Sequence, residues 1–531
     1  MGSRLAWRFG LVLAAATATT AGCVGEGGSW TDELPAVDDL PWPTPEALPP
    51  CTPVSSDFAL PALAAPGGRL QVVDPLRVYP TGVVTTIDLV ALDAGGSHDA
   101  TVSGDVQLDL GGGGDVLEVA PMVGGEAAAR VRFTAAGTFT VTATHTQGGQ
   151  SGTSEVATYA TRLPVWELTI DPAHLDAMEA DPFDDLKVPA TVTIDGTALA
   201  TTVRLHGGTS RDFPKKSFRF DLGAGLDLDG ANHLILRAEW ADKTLVRNWL
   251  AFELLRAGTW LPASGTELVH FRINERFYGV MNHVERIDRD FLRARGMSAN
   301  GSMYEADPPR EAAPGDLTPL PPEQYPITYQ LRAGANGYDD LRRLVEEVLR
   351  RPPGDFEATL TDEIEVDDVL VYLAALAVIQ NHDHVRKNYY LHRDPASPVG
   401  WRFLPWDLDL SFGHLYTEED DVQDERIFVD GDPFVGQLDD GETGPFNQLI
   451  DRLLDLPELR ARFLAMARRL ATSVASDERI DEHLTWATCR AGMDLLTDDR
   501  KRATNAEYLG RLDEIRAFTS DRRAFLDALA E

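Results

Sequence analysis

Two short polar segments in the second half of the chain carry residues that could hold a metal ion together with a phosphate group. The first reads Asn-His-Asp-His-Val-Arg-Lys-Asn and places Asp383 five positions before Asn388. The second reads Trp-Asp-Leu-Asp and supplies Asp407 and Asp409. A few Asp and Asn oxygens that leave coordination positions open suit Mg²⁺ bound together with a substrate phosphate.

The elements predicted around these segments would bring them together. Residues 366–380 are apolar at most positions and predict a buried helix that ends just before the first segment. Residues 389–393 and 401–405 predict two antiparallel strands joined by a turn. In such a hairpin the start of the first strand and the end of the second emerge at the same end. Asn388 and Asp407 are therefore expected to be neighbours.

In protein kinases a catalytic-loop aspartate likewise precedes a metal-binding asparagine by five positions, and a later hairpin delivers a second metal-binding aspartate. Such a site also needs a cation for the phosphates, earlier in the chain. Residues 204–220 offer one, because Gly207 and Gly208 allow close backbone approach and Lys215 and Lys216 follow. A basic surface loop that pairs with acidic residues of the chain is the alternative.

The composition is that of a globular protein with more than one domain. The chain has 531 residues, of which 43% are hydrophobic and 25% charged. Its 84 acidic and 48 basic residues give a formal net charge of −36, which argues against a nucleic-acid partner. The motifs GxxxxGKS/T, HExxH and GxSxG do not occur, so the usual signatures of Walker-type NTPases, zincins and α/β-hydrolases are missing.

The residue pattern divides the chain into four parts, 1–23, 24–66, 67–160 and 161–531. The first has a basic start, an apolar stretch and small residues before Cys23, which is typical of a bacterial lipoprotein signal. The second, rich in Pro and Gly, predicts an extended tether. The third has short alternating runs, typical of an immunoglobulin-like β-sandwich that serves as a spacer or adhesive module. The fourth mixes strands and helices.

The three cysteines bear on localisation. Lipidation of Cys23 would anchor the protein to a membrane, and a plain secretory signal is the alternative; both predict export. Cys51 and Cys489 are far apart in sequence, and in an oxidising exterior they form either a bridge or two free thiols.

Within the fourth part, a helix is predicted over 242–257 with Asp242 as its cap. A hairpin is predicted over 268–287 with its turn at Asn274, and a helical tail over about 444–529.

Residues 164–531 contain, in order, motifs that resemble those of the spore coat protein H (CotH) kinase family. These motifs are Gly208-Thr-Ser-Arg-Asp-Phe-Pro-Lys-Lys-Ser217, Ala241-Asp-Lys-Thr-Leu-Val-Arg-Asn248, Phe277-Tyr-Gly-Val-Met-Asn-His-Val-Glu285-Arg-Ile-Asp288, Asn388-Tyr-Tyr-Leu and Pro405-Trp-Asp-Leu-Asp-Leu-Ser-Phe-Gly413. The resemblance implies an α+β fold with an atypical protein kinase-like domain, here preceded by the β-sandwich. It also implies ATP and Mg²⁺ as cofactors and a protein substrate with Ser or Thr acceptors.

The resemblance further implies roles for individual residues. Asp383 would be the catalytic aspartate, Asn388 and Asp407 would bind the metal, and Lys216 would contact the phosphates. Whether Asp407 or Asp409 is the metal ligand stays open. The supporting candidates for nucleotide binding are Arg211, Lys215 and Arg247 on the phosphate side and Glu285 and Asp288 at the hinge. His382 and His384 flank Asp383 and depart from the expected pattern.

Two other functions fit parts of the sequence. The kinase-like fold could be kept for binding alone, in a surface adhesion or structural protein. A carbohydrate-surface protein dependent on Mg²⁺ or Ca²⁺ would use the acidic residues 418–421 and 430–432, although these lack EF-hand spacing and also suit a solvated loop.

Overall fold

The computed structural model describes residues 34–51, 59–228, 230–309, 311–335, 337–394, 400–417, 421–427, 429–432 and 446–529, without side chains at 415–417 and 421–427. The predicted signal segment 1–23, with Cys23, lies outside the described residues, as do residues 418–420 of the acidic run.

Residues 67–159 form two facing sheets. The strands are β1 (Gly67–Gly68), β2 (Leu70–Val72), β3 (Val78–Pro80), β4 (Val84–Ala91), β5 (Val106–Asp109), β6 (Gly114–Val119), β7 (Glu126–Phe133), β8 (Gly137–His145) and β9 (Ser151–Tyr159). One sheet has the order β1-β9-β8-β5 with β3 beside β9, and the other has the order β2-β4-β7-β6. Alternate residues of both sheets fill one core, as the predicted sandwich requires. The immunoglobulin-like assignment stays a prediction.

A seven-stranded closed barrel follows. Its elements are β10 (Val165–Thr169), α1 (Pro172–Ala180), β11 (Val188–Ile194), β12 (Thr197–His206), β13 (Ser217–Leu222), β14 (His233–Arg237), α2 (Arg247–Gly258), β15 (Thr266–Ile273) and β16 (Arg276–Glu285). The strand order is β10-β11-β12-β13-β14-β16-β15, and β15 closes on β10 in parallel. Every second side chain points into an apolar interior, among them Phe218 and Phe220.

The remaining chain forms a mixed, mainly helical lobe. Its elements are α3 (Arg289–Ala294), β17 (Ser302–Ala306), α4 (Tyr325–Thr328), β18 (Tyr329–Ala333), α5 (Asp339–Arg342), which continues as a π-helix (Arg343–Val348), α6 (Pro353–Glu357), α7 (Leu360–Glu363), α8 (Val366–Ile379), β19 (Tyr389–Arg393), β20 (Arg402–Pro405), β21 (His414–Thr417), β22 (Asp421–Ile427), α9 (Gln448–Leu454), α10 (Pro457–Ser473), α11 (Asp477–Thr497) and α12 (Asn505–Ala528). Strands β18-β17-β19-β20 form its sheet.

The elements predicted to position the site are confirmed. Helix α8 is buried along nearly its whole length and ends at Gln380, whose φ of 45° turns the chain out of the helix. Strands β19 and β20 pair antiparallel, with Tyr389 opposite Pro405. The hairpin of β15 and β16 turns at Asn274 and Glu275, both with positive φ.

Helix α2 starts later than the sequence predicts. It begins at Arg247 rather than near Asp242. The carboxylate of Asp242 instead accepts hydrogen bonds from the Thr244 and Arg247 amides, which closes a turn before the helix. Leu245 within this turn has a φ of 58°, which a helix does not accommodate.

The described residues of the segment predicted to be an extended tether contact the folded parts of the chain. Its role as a tether stays a prediction. The Trp486 indole donates to Pro49 O at 3.0 Å, and Trp42 packs edge-on against Trp260. Cys51 and Cys489 form a disulfide, which the sequence left open. Aromatic side chains and a covalent link outweigh the extended preference of a Pro-rich segment.

The sandwich packs against the barrel. Arg276 of β16 makes two hydrogen bonds to Asp88, and Arg130 of β7 makes two to Glu275. Tyr159 at the end of β9 donates to Asp494 of α11 at 2.8 Å. Whether the sandwich also acts as a spacer or adhesive module stays a prediction. Among the described residues no helix has the length and apolar character needed to cross a membrane.

Candidate active site

Asp383, Lys387 and Asn388 form one hydrogen-bonded group in the loop between α8 and β19. The Asn388 amide donates to Asp383 O at 2.7 Å and to Asp383 Oδ2 at 2.8 Å. Lys387 Nζ lies 2.9 Å from the other carboxylate oxygen of Asp383. Burial raises the pKa of Asp383, and the nearby Asp407 charge adds to this against the effect of Lys387. The loop therefore holds a carboxylate that is a stronger base than an exposed one.

Asp407 and Asp409 follow β20 and are bridged by an arginine from the barrel. Arg237, the last residue of β14, places Nη2 2.7 Å from Asp407 Oδ1 and 3.1 Å from Asp409 Oδ2. Burial and the Asp407 charge raise the pKa of Asp409 well above its ordinary value. The φ of 54° at Asp407 is a left-handed conformation that a non-glycine residue rarely adopts.

A buried glutamate links this arginine to the loop that follows β20. Glu239 Oε1 lies 3.4 Å from Arg237 Nε and accepts from the Asn248 amide at 2.7 Å. Asn248 in turn accepts from the Leu408 N–H at 3.2 Å. The barrel thus contacts both the side chains and the backbone of residues 407–409.

Asn388 and Asp407 are the predicted oxygen ligands of a Mg²⁺ ion. No group of three or more His, Cys, Asp or Glu side chains in the described ranges is arranged to hold a metal ion. Mg²⁺ bound with substrate phosphates, however, needs only one or two protein carboxylates or amides. Asn388 uses its amide hydrogens on Asp383, and the amide oxygen is the atom left to face a cation. Asn388 with Asp407 therefore fits the chemistry of such an ion.

The structure does not place the ammonium groups of the two predicted lysines beside Asp383 and Asp407. Lys215 is fully buried, with Nζ 2.8 Å from Asp498 Oδ2 and 2.6 Å from Val280 O. Lys216 Nζ donates to Arg211 O at 2.7 Å and braces the turn between β12 and β13. The Lys215 ammonium is thus paired away from solvent, and its part in phosphate binding stays a prediction.

The other predicted nucleotide contacts also make hydrogen bonds or ion pairs within the protein. Arg211 donates to Gly207 O and to Asp185, and Arg247 pairs with Asp242. Glu285 pairs with Arg295 at 2.6 Å. Asp288 caps α3 by accepting the Asp290 and Phe291 amides. Glu285 and Asp288 lie where the barrel meets the lobe and make local contacts there, and their assignment as nucleotide contacts stays a prediction.

Sequence reasoning missed Arg237, Glu239 and Asp307 as parts of the site. Continuing the register of β17 and β19 places Asp307 opposite Asn388, and burial with the Glu305 and Asp407 charges raises its pKa to about 6. The sequence feature that could have indicated Arg237 is its position as the charged residue directly after the apolar residues Leu-Ile-Leu of β14. Glu239 and Asp307 had no comparable signal.

The two histidines beside Asp383 are accommodated by burial. Burial lowers the pKa of His384 to about 3, so this imidazole is neutral near pH 7. The His382 N–H is bound to Leu410 O, and both histidines are buried. His384 therefore brings no positive charge that would compete with a metal ion.

A β-rich lobe, a helical lobe, and an aspartate–asparagine loop facing a second pair of aspartates are the features of a protein kinase-like phosphotransferase. Residues 203–526 match the family model described as "CotH kinase protein". Because this match spans more than half of the 531 residues, the chain belongs to the CotH kinase family.

The chain is also similar to known proteins. It is 24% identical over 367 residues to the inner spore coat protein H of Bacillus subtilis (strain 168), covering 68% of this chain and 96% of that protein. It also resembles a chain in the solved complex of the Shewanella oneidensis MR-1 toxin–antitoxin system HipA, HipB and its operator DNA. That match has a TM-score of 0.29 and 11% identity and covers 68% of this chain and 73% of the other, too weak to carry an argument.

Proposed function

We propose that this protein is an atypical protein kinase that transfers the γ-phosphate of ATP to Ser or Thr of a protein substrate, with Mg²⁺. The observation that carries this proposal is the group of Asp383, Asn388 and Lys387 in the loop after α8, with electrostatic contact to Asp407. Membership of the CotH kinase family supports the same class of reaction.

In the proposed reaction the acceptor hydroxyl oxygen attacks the γ-phosphorus, the bond to the β-phosphate oxygen breaks, and ADP leaves. Asp383 orients the hydroxyl and accepts its proton, which its raised pKa favours. Arg237 holds Asp407 and supplies a guanidinium for the phosphates. Asn388 and Asp407 would hold Mg²⁺, which neutralises phosphate charge. Lys387 keeps Asp383 in place.

Asp407 is the better candidate for the metal ligand than Asp409. The charge of Asp407 acts on Asp383, on Asp307 and on Lys387, so it lies at the centre of the group. Burial and the Asp407 charge raise the pKa of Asp409, so that its carboxylate is harder to ionise than an exposed one.

We place this activity outside the cytoplasm, in the cell envelope, with Cys23 as the lipid-anchor residue. The signal-like residues 1–23 and the disulfide between Cys51 and Cys489 support export. The B. subtilis relative carries the name of a spore coat protein. Mass spectrometry of the mature amino terminus tests the anchor, and an unmodified terminus that starts elsewhere contradicts it.

The test of the activity is transfer of labelled γ-phosphate to the protein itself and to casein. Wild type is compared with Asp383→Asn, Asp407→Asn and the exposed control Asp184→Asn, with melting curves for each. Transfer that needs Mg²⁺ and is lost in the first two variants is expected. If wild type shows neither transfer nor stabilisation by ATP, the kinase proposal fails, and the non-catalytic surface adhesion function takes its place.

A further inference from the structure

The outer face of the barrel, on the side of the proposed site, carries arginines in register. On β13, Phe218 and Phe220 lie in the barrel interior, so Arg219 between them points outwards. Arg204 of β12 pairs directly opposite Arg219. Arg237 of β14 extends from the same face, because Leu236 beside it lies in the interior.

Positive charge is concentrated on this face. His206, two residues from Arg204 on β12, has its pKa lowered well below the ordinary value by burial and by the charges of surrounding arginines. These arginines are Arg237, Arg204, Arg219 and Arg211. In a chain with a formal net charge of −36, four neighbouring guanidinium groups are a local concentration of cations suited to an anionic ligand. Arg219 Nε lies 2.8 Å from Asp221 Oδ1, so a ligand would share this arginine with Asp221.

An internal carboxylate already contacts two of these arginines. Asp185, in the segment between α1 and β11, accepts from Arg204 and from Arg211, each at 2.9 Å. The Asp185 side chain is 72% exposed, whereas those of Arg204 and Arg211 are 15% and 13% exposed. A carboxylate that is 72% exposed can leave for solvent, and a phosphate chain would bring more negative charge and more acceptor oxygens to the same two guanidinium groups.

We propose that Arg204, Arg211 and Arg219 form an oligophosphate subsite, and that Asp185 occupies it until a phosphate chain displaces it. Guanidinium groups bind phosphate oxygens through paired N–H donors. Arg219 lies two residues along β13 from the position opposite Arg237, about 7 Å away, so one phosphate chain can reach both groups. This proposal rests on the proposed function in one respect only, which is that the phosphate chain lies beside the proposed metal site.

The oligophosphate can belong to a nucleotide or to an inorganic chain. Isothermal titration calorimetry on the purified protein with inorganic tripolyphosphate, ATP and adenosine, each with and without Mg²⁺, distinguishes the two sources. If the oligophosphate belongs to a nucleotide, ATP binds more tightly than tripolyphosphate. If it is an inorganic chain, tripolyphosphate binds at least as tightly as ATP, and adenosine does not bind. Binding of adenosine alone, without tripolyphosphate binding, overturns the proposal.

Variants test the residues. Arg204→Met and Arg219→Met are each expected to weaken tripolyphosphate binding about tenfold or more. Asp185→Asn is expected to strengthen it, because the competing anion is gone, whereas Asp184→Asn in the same loop leaves it unchanged. Equal tripolyphosphate affinities in wild type and in the Asp185 variant overturn the proposal. This comparison remains available even when an arginine variant does not fold.

The outcomes also separate this subsite from the kinase activity. Tripolyphosphate binding that depends on Arg204 and Asp185, in a protein without phosphoryl transfer, supports the subsite and removes the kinase proposal. Phosphoryl transfer with an unchanged KM for ATP and unchanged tripolyphosphate affinity in both arginine variants removes the subsite and leaves the kinase proposal.

Discussion

Arg237 and Asp407 form an ion pair between the barrel and the helical lobe, with 2.7 Å between Arg237 Nη2 and Asp407 Oδ1. Each residue stands at the end of a strand, Arg237 at the end of β14 and Asp407 just after β20. The two lobes therefore meet through the groups that the proposed reaction needs for phosphate and metal.

Arg237→Met is expected to reduce phosphoryl transfer about a hundredfold, because a donor to developing phosphate charge is lost. Arg237→Lys should recover part of the rate, since lysine restores the positive charge but not the bidentate hydrogen bonding of a guanidinium group. Initial rates at saturating ATP measure this. Arg256→Met, which removes a partly exposed pair on α2, is the matched control. A rate equal to that of the control would remove Arg237 from the site.

Asn388→Ala is expected to raise the Mg²⁺ concentration needed for half-maximal transfer and to lower the maximal rate. The variant loses the proposed metal oxygen and both hydrogen bonds to Asp383. Rates across a Mg²⁺ titration measure both effects. Asn232→Ala, at an exposed position before β14, controls for the loss of an amide. An unchanged Mg²⁺ dependence would contradict the assignment of Asn388.

Lys215→Met is expected to lower the free energy of unfolding by about 3–5 kcal/mol, because it leaves Asp498 buried without its partner. The double variant Lys215→Met, Asp498→Leu should lose less than the sum of the single losses. Urea unfolding measures these differences. Lys187→Met removes a pair whose lysine is 51% exposed and should cost under about 1 kcal/mol. Equal losses for both lysine variants would contradict the structural role of Lys215.

The stability of the barrel is expected to fall as the pH drops from 7 towards 4. Burial lowers the pKa of His283 from 6.5 to about 4, so the unfolded chain takes up a proton before the folded one does. This stability is present above pH 6.5 and is lost as the pH falls through the folded pKa, by about 3 kcal/mol for His283. His283→Leu should flatten the dependence, and Met281→Leu on the same face should not. The urea midpoints of wild type and both variants at pH 7.5 and 5.0 measure this, and an equal pH dependence in wild type and His283→Leu would contradict the prediction.

Cys51→Ser is expected to lower the free energy of unfolding by about 2–4 kcal/mol, since the disulfide to Cys489 no longer restrains the unfolded chain. A reductant should lower the urea midpoint of wild type and leave that of the variant unchanged. A wild-type midpoint that does not respond to the reductant would show that the bridge adds no stability.

The sequence predicted the parts of the site that are encoded locally. Helix α8, the hairpin of β19 and β20, and the meeting of Asp383 and Asn388 follow from a long apolar run, a turn and a spacing of five. The start of α2 was missed because the bonds that Asp242 makes depend on the turn that contains it. The pairing of Lys215 with Asp498 was not predicted, because residue type alone does not show which distant carboxylate a buried lysine meets.

What the sequence by itself determined is the order of the elements and the family, since periodicity and motif spacing are properties of neighbouring residues. The tertiary structure alone decided that Arg237, 170 positions before Asp407, meets it, because contacts between distant segments depend on barrel closure and strand register. It also decided that residues 34–51 lie against the folded chain, where Leu40 and Trp42 pack on an apolar surface that exists only after folding.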